Sequence, residues 1–183
     1  PPINVEIDLS NRCSVGCFFC HFAYTHTRGP LAGKQPKPPD NTPGGDLMSR
    51  ELWSRLLPEL FYNGVKSITW TGGGEPTLHP DFNEIIASTQ LDQGIYTHGG
   101  HIDKDRAKLM VEHMMWCYVS LDYADAASYK AAKGVDNFGR ACDGIANLVA
   151  AKRARGSQAA IGLGFLLNEQ NWTDLYHMSK LAR

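Results

Sequence analysis

Cys13, Cys17 and Cys20 fall within eight residues of one another, and no other stretch of the chain gathers so many metal-binding groups. A C-x3-C-x2-C run lets one loop present three soft thiolates to a common centre, which suits an iron–sulfur cluster or zinc. Three thiolates on a four-iron cluster leave one iron open, and an open metal position is where a substrate or cofactor binds. A disulfide framework fits poorly, because the chain has five cysteines and pairing any two of this group strands the third. Cys17-Phe18-Phe19-Cys20-His21 also matches the C-x2-C-H pattern of covalent haem attachment, but that use leaves Cys13 idle. A zinc site completed by His21 or His26 is the other alternative.

The second signal is Gly72-Gly73-Gly74-Glu75-Pro76, which follows a strand-like run and precedes a helix-like one. Three glycines permit unusual backbone angles and let a ligand lie against the main chain. Glu75 adds a carboxylate able to hold an amino group. Neither G-x-G-x-x-G nor a GK[ST] ending is present, and a carboxylate in the middle of the turn repels phosphate. Cation or amine binding is therefore the physical reading, and a structural zinc knuckle gives no account of this turn. Cys117 and Cys142 fall on a strand-like and a helix-like stripe, where a free cysteine is a small buried hydrophobe.

Both signals need elements to hold them. Val5 to Ser10 alternates apolar and polar residues as a strand does and runs straight into the cysteine loop. Leu52, Trp53, Leu56, Leu57, Leu60 and Phe61 form a helical stripe that begins at Ser49 and closes at Asn63-Gly64. Pro58 inside it predicts a kink or a break. Lys66 to Thr71 is a second strand, ending in the glycine turn. A helix through Phe82, Ile85 and Ile86, a strand at Gly94 to Thr97, a helix over Asp103 to Met114 and a strand at Met115 to Leu121 follow. Phe138 to Val149 gives another helical stripe, Ala159 to Leu167 a fifth strand, and Asn171 the cap of a last helix.

This alternation predicts an α/β fold with parallel strands covered by helices. An open doubly wound sheet and a barrel-like sheet both fit it, and both put function at the C-terminal ends of the strands. The cysteine loop, the glycine turn, Thr97-His98-Gly99-Gly100 and Ser120-Leu121-Asp122 all fall at such ends, which favours one shared site. The stretch 21–47 holds five of the ten prolines and a Gly44-Gly45 pair, too long for a connector. It reads as a lid or substrate wall, or as a disordered insertion.

Composition narrows the partners. A chain of 183 residues suits one compact domain with a real core. With 18 basic against 19 acidic side chains there is no basic footprint for nucleic acid. No apolar run approaches the roughly 20 residues of a membrane helix, so a soluble, cytoplasmic domain without a membrane partner is expected. No secretory signal is recognisable, and the chain begins at Pro1 rather than Met, as a fragment would.

Asn11-Arg12-Cys13-Ser14-Val15-Gly16-Cys17-Phe18-Phe19-Cys20, followed by Thr71-Gly72-Gly73-Gly74-Glu75-Pro76-Thr77-Leu78-His79-Pro80, resembles the radical S-adenosylmethionine (radical SAM) superfamily. The resemblance extends through Tyr96-Thr97-His98-Gly99, Val119-Ser120-Leu121-Asp122 and the region from Ile161 to Asn171, nearly the whole chain. It implies that 1–183 is one core domain, a partial (β/α)6 TIM-like barrel with about five βα units present. The sixth strand is not recognisable, so the core is expected to be incomplete at its C-terminus.

The resemblance also implies a 4Fe-4S cluster on Cys13, Cys17 and Cys20 whose fourth iron chelates S-adenosylmethionine. Phe19 would pack on the adenine, and Gly73, Gly74 and Glu75 would hold the methionine amino group. Thr97 and Ser120 would lie near the methionine carboxylate and the ribose, with Asp122 beside them. Ser120 and Asp122, two apart, are expected on one face of a strand. Gly162 and Gly164 would let the fifth strand approach the adenine. Reductive cleavage of the sulfonium would give a 5′-deoxyadenosyl radical that takes hydrogen from a substrate, and no catalytic residue is assigned beyond the cluster ligands. The implied partners are an electron donor such as flavodoxin or ferredoxin and a peptide or small-molecule substrate, with peptide maturation or cofactor biosynthesis favoured. His98 stands where the family usually has Asn, which points it toward a substrate or an exposed loop role. The competing class is a non-catalytic zinc- or cluster-binding module.

Overall fold

A computed structural model describes residues 1–22 and 47–182. The expected lid at 21–47 and the zinc candidate His26 therefore lie outside the described residues, but for the ends of that stretch. Five strands form one parallel sheet: β1 (Asn4–Asp8), β2 (Ser67–Thr71), β3 (Asp92–Thr97), β4 (Met114–Ser120) and β5 (Ala160–Gly164). Their spatial order is their chain order, β1 through β5. A doubly wound sheet reverses its order at a switch point. This one does not, so of the two expected architectures the TIM-barrel-like one stands.

Among the described residues five helices connect the strands, α1 (Arg50–Tyr62), α2 (Phe82–Ser88), α3 (Lys104–His113), α4 (Ala126–Lys133) and α5 (Phe138–Arg155), and a sixth, α6 (Leu175–Leu181), follows β5. The Ser49 hydroxyl caps α1 by accepting the Leu52 N–H at 3.2 Å, and Gly64 turns the chain out with φ +83°. The expected break at Pro58 does not occur. The helix runs through it, keeping Trp53 and Leu57 buried on one face, since proline removes one backbone donor but not the packing. The expected cap at Asn171 is also different. Its side chain makes no cap and instead donates to the carbonyls of Asp122 and Leu166, fastening the turn after β4 to the chain after β5.

Alternation along the strands sorts the sheet into two unlike faces. Ile7, Ile68, Trp70, Ile95, Cys117 and Val119 point to the helices and form one core with residues of α1, α2, α3 and α5, such as Leu57, Ile85, Met110 and Leu148. Cys117 sits there as the buried hydrophobe expected of it, with burial pushing its thiol up to about 12. The other face carries Asn4, Glu6 and Asp8 on β1, Ser67, Thr69 and Thr71 on β2, and Tyr96, Trp116, Tyr118 and Ser120 on β3 and β4. That pattern leaves the concave side polar and aromatic. A bulge between Gln93 and Gly94 throws Met115 outward and keeps the two faces in phase.

Candidate functional site

The C-terminal ends of β1 to β4 open onto one cavity of about 400 Å³. Cys13, Cys17, Cys20, Phe19, Gly74, Glu75, Thr97, Ser120 and Asp122 all line it, so residues far apart in sequence meet as expected. Gly73 is off the wall. Its N–H donates to the Asp8 carboxylate at 3.1 Å, and a Cβ there would stand 2.4 Å from the Asn11 side chain.

Two contacts pin the cysteine loop. On one side Glu75 N–H donates to the Arg12 carbonyl at 2.8 Å, and a Cβ on Gly74 would come within 2.3 Å of that same carbonyl oxygen. Gly74 is thus required for the glycine turn to touch the cysteine loop, and it also lines the cavity. On the other side α4 ends against the loop. Its last carbonyls lack helical partners, and those of Lys133 and Ala132 accept the N–H groups of Gly16 and Phe18 at 2.8 and 3.0 Å. Phe19 stands beside them, edge to face with Phe18 at 5.1 Å.

The donor set suits a cluster better than a single ion. All five cysteines are unpaired. Burial pushes Cys13 up to about 12, against a lowering hydrogen bond at Val15, and Cys17 up to about 11, against the pull of the Lys133 ammonium. Burial also raises Cys20. Such thiols keep their protons until a metal's charge replaces them. Three thiols along one cavity wall fit a cluster in which each binds a different iron.

Glu75 is almost fully buried yet carries its charge. Burial alone would raise its pKa, but His98, the Thr77 and Thr97 hydroxyls and the His98 N–H outweigh that and hold it below the ordinary carboxylate range. Oε1 accepts from the Thr77 hydroxyl at 2.5 Å, the Thr97 hydroxyl at 2.6 Å and Thr77 N–H at 3.2 Å. Oε2 accepts only the His98 N–H, at 2.8 Å. Oε1 with three donors is filled, whereas Oε2 has one hydrogen bond and the His98 Nε2 further off at 3.5 Å, so it is the oxygen able to receive an amine. Thr97, expected near the methionine carboxylate and the ribose, lines the cavity and donates its hydroxyl proton to Glu75.

His98 is buried behind Glu75, contrary to the exposed alternative. Its Nδ1 accepts the Gly100 N–H at 3.0 Å, which puts the neutral ring's proton on Nε2. That proton faces Ser14 Oγ at 3.0 Å, with Glu75 Oε2 at 3.5 Å. Ser14 in turn reaches His101 Nε2 at 2.9 Å, and burial, then the neighbouring His98, lower the His101 pKa.

The opposite wall holds a residue that sequence reasoning missed. Lys133 is fully buried at the end of α4, its Nζ 2.9 Å from Asp122 Oδ2 and 4.9 Å from the Tyr129 ring centre. Burial would lower its pKa, but Cys17 and Asp122 hold it above its ordinary value. Asp122 is not on a strand facing the same way as Ser120. It lies past the end of β4 with φ +65°, donates its N–H to Gly164 O, and accepts Leu166 N–H at 2.8 Å. The space beside Gly164 is taken, since a Cβ there would come within 2.4 Å of the Tyr118 ring, whereas one on Gly162 would stand at an ordinary 3.6 Å from it. The missed signal was local. Asp125 caps α4 by accepting from Ala127 and Ser128 N–H, Gly134 closes it at φ +70°, and Tyr129, Ala132 and Lys133 share its buried face.

A family model described as the Radical SAM superfamily matches residues 7–182. The chain is 28% identical over 148 residues to a protein of Pyrococcus abyssi (strain GE5 / Orsay) named probable GTP 3′,8-cyclase, covering 79% of this chain and 43% of that one. A protein of the same name from Saccharolobus solfataricus is 26% identical over 187 residues, covering 100% of this chain and 54% of that one. The chain thus spans about half the length of the curated relatives it matches. SuiB of Streptococcus suis superposes with a TM-score of 0.71 at 19% identity, over 98% of this chain and 36% of that one. The structure of anSMEcpe with bound AdoMet gives 0.70 at 16% identity, over 98% and 47%. These two share its fold.

Proposed function

The chain belongs to the radical SAM superfamily, whose members use a 4Fe-4S cluster and S-adenosylmethionine, and from that premise we propose that it is the core of an enzyme of this kind. One observation carries the reading: a single cavity has three thiols flanked by a buried carboxylate on one wall and, on the other, a buried ammonium paired with Asp122. On one wall, Glu75 receives only neutral donors apart from His98 and keeps its negative charge. On the other, Lys133 brings an ammonium beside Cys17. A zwitterionic amino-acid group fits between them, its amine toward Glu75 Oε2 and its carboxylate toward Lys133 and the hydroxyl of Ser120.

Cys13, Cys17 and Cys20 are the cluster ligands in this reading, and Phe19 offers its ring to the adenine. When bound, the cluster and S-adenosylmethionine supply one-electron cleavage of a carbon–sulfur bond and hydrogen abstraction from a substrate. The chain's own work is positional. Its two loop contacts fix the thiols, Thr77, Thr97 and His98 aim Glu75, and Asp122 aims Lys133. An electron donor such as flavodoxin or ferredoxin completes the system. Five unpaired thiols suit the reducing cytoplasm, and no helix among the described residues is long and apolar enough to cross a membrane. A peptide or a small molecule is the substrate.

Anaerobic reconstitution with iron and sulfide, then reduction with dithionite in the presence of S-adenosylmethionine, tests this. The reading expects 5′-deoxyadenosine from the parent chain and from Cys142→Ala, and none from Cys17→Ala. A colourless protein that co-purifies with zinc and forms no product overturns it.

A further inference from the structure

The concave face below the thiols carries a surface that the cofactor reading does not use. Tyr96 on β3 meets Trp116 and Tyr118 on β4 edge to face, at 5.0 and 5.1 Å between ring centres. Glycines on the neighbouring strands make room for this floor. A Cβ on Gly94 would stand 1.9 Å from the Trp116 ring, and one on Gly164 2.4 Å from the Tyr118 ring, so only glycine lets those rings lie across the sheet. Rings that filled a core would be sealed from water. Here Tyr96 is 43% and Tyr118 36% exposed, and both reach the wall of the cavity that holds the cysteines.

The charges that the strands place on this face have one sign, and the cation on the cavity wall, Lys133, is paired with Asp122. Glu6 and Asp8 on β1 and Asp92 on β3 alternate onto this face, and no strand residue that does so is Lys or Arg. Asp8 is engaged by Gly73 N–H. The Glu6 side chain is exposed and has no hydrogen bond or ion pair among the described residues. Aromatic faces are negative at their centres and attract cations within roughly 6 Å, and an unpaired carboxylate on the same face of the sheet adds to the attraction at longer range. Phosphate groups meet repulsion from both.

We infer that Tyr96 and Tyr118 form the recognition surface for a cationic, non-phosphorylated substrate group, an ammonium or guanidinium, with Glu6 as counter-charge. This rests on the proposed function, which puts hydrogen abstraction in the same cavity. The group lies on the floor, and the carbon to be attacked sits above it toward the thiols.

The test is calorimetric titration of the reconstituted holoprotein, with S-adenosylmethionine present. The probes are acetyl-Gly-Arg-Gly-amide, acetyl-Gly-Lys-Gly-amide, acetyl-Gly-Gln-Gly-amide, argininamide and GTP. At least one cationic probe should bind about tenfold or more tighter than both the glutamine peptide and GTP, the scale of a cation–aromatic contact. Equal binding of argininamide and the arginine peptide identifies a small cationic substrate, and preference for a cationic peptide identifies a peptide. Tyr96→Phe should keep the preference, Tyr96→Leu and Tyr118→Leu should lose it about tenfold, and Glu6→Lys should abolish it. GTP binding as tightly as every cationic probe, a glutamine peptide that matches them, or a preference intact in both Leu variants overturns the inference. Uncoupled 5′-deoxyadenosine formation is read in the same samples. If it persists while the preference is absent, only the substrate inference falls; if the parent chain forms none, the proposed function falls with it.

Discussion

Glu75 and Asp122 are both buried carboxylates on the wall of one cavity, yet they are neutralised in unlike ways. Glu75 is held by two hydroxyls and backbone N–H groups, with the His98 ring 3.5 Å from Oε2, and no lysine or arginine is bonded to it. Asp122 is matched by Lys133, and the pair as a whole is neutral, with its ammonium turned toward Cys17. Burial is the same on both walls. What differs is that Asp122 has a buried ammonium bonded to it and Glu75 does not, so one wall offers a carboxylate and the other an ammonium.

Substitutions that exchange these roles are the sharpest way to break the contrast. Lys133→Met should have the largest effect, because it leaves Asp122 buried without its cation. Losing one partner of a buried pair costs about 3–5 kcal/mol, and adding Asp122→Asn should restore most of it. Urea denaturation of the single and double variants checks this. Failure of the double variant to recover would mean that Lys133 acts through packing against Tyr129 rather than through charge.

Glu75→Gln should cost less, about 1–3 kcal/mol, because no ion is orphaned but donors aimed at a carboxylate then meet an amide. It should also change the response to acid. Because the folded pKa of Glu75 is depressed, its stabilisation is complete above the ordinary value of 4.5 and is lost as the pH falls from there through the folded value. Denaturation midpoints between pH 3 and 6 should therefore fall less steeply in Glu75→Gln, by roughly one proton's worth of slope. Thr97→Val comes next, removing one charge-assisted hydrogen bond worth about 1.5–2 kcal/mol. His101→Ala is the smallest, under about 1 kcal/mol, since the Ser14 hydroxyl can turn to water at that half-exposed end of the chain of contacts. An effect of His101→Ala as large as that of Thr97→Val would mean that the Glu75 wall extends to the surface.

The sequence made one kind of feature legible and hid another. The cysteine loop, the glycine turn and the strand–helix alternation could be read because each is written within about ten residues, as periodicity or as turn chemistry. The convergence of four strand ends followed from topology. The pairings inside the site could not be read. Thr97 turning to Glu75 spans 22 residues and depends on how two adjacent strands end. Gly74 looked like a ligand-approach glycine, and only the position of the Arg12 carbonyl reveals that it is needed for two loops to touch. Asp122 was extrapolated along β4, whereas the chain turns left-handed there. Lys133 leaves little trace in the sequence because α4 is short and rich in alanine, a weak periodic signal for an element that both holds the cysteine loop and supplies the site's buried cation.

The claim that the two walls read opposite ends of an amino-acid group is tested most directly by binding to the reconstituted protein. Equilibrium dialysis would compare S-adenosylmethionine with one analogue lacking the amino group and one lacking the carboxylate. Glu75→Gln should bind about tenfold less S-adenosylmethionine, on the scale of one charge-assisted contact, while binding the deaminated analogue as the parent does. Lys133→Met with Asp122→Asn should behave the same way toward the decarboxylated analogue. Parallel losses on all three ligands in both variants would contradict the account, because the walls would then support the cavity without distinguishing its ends.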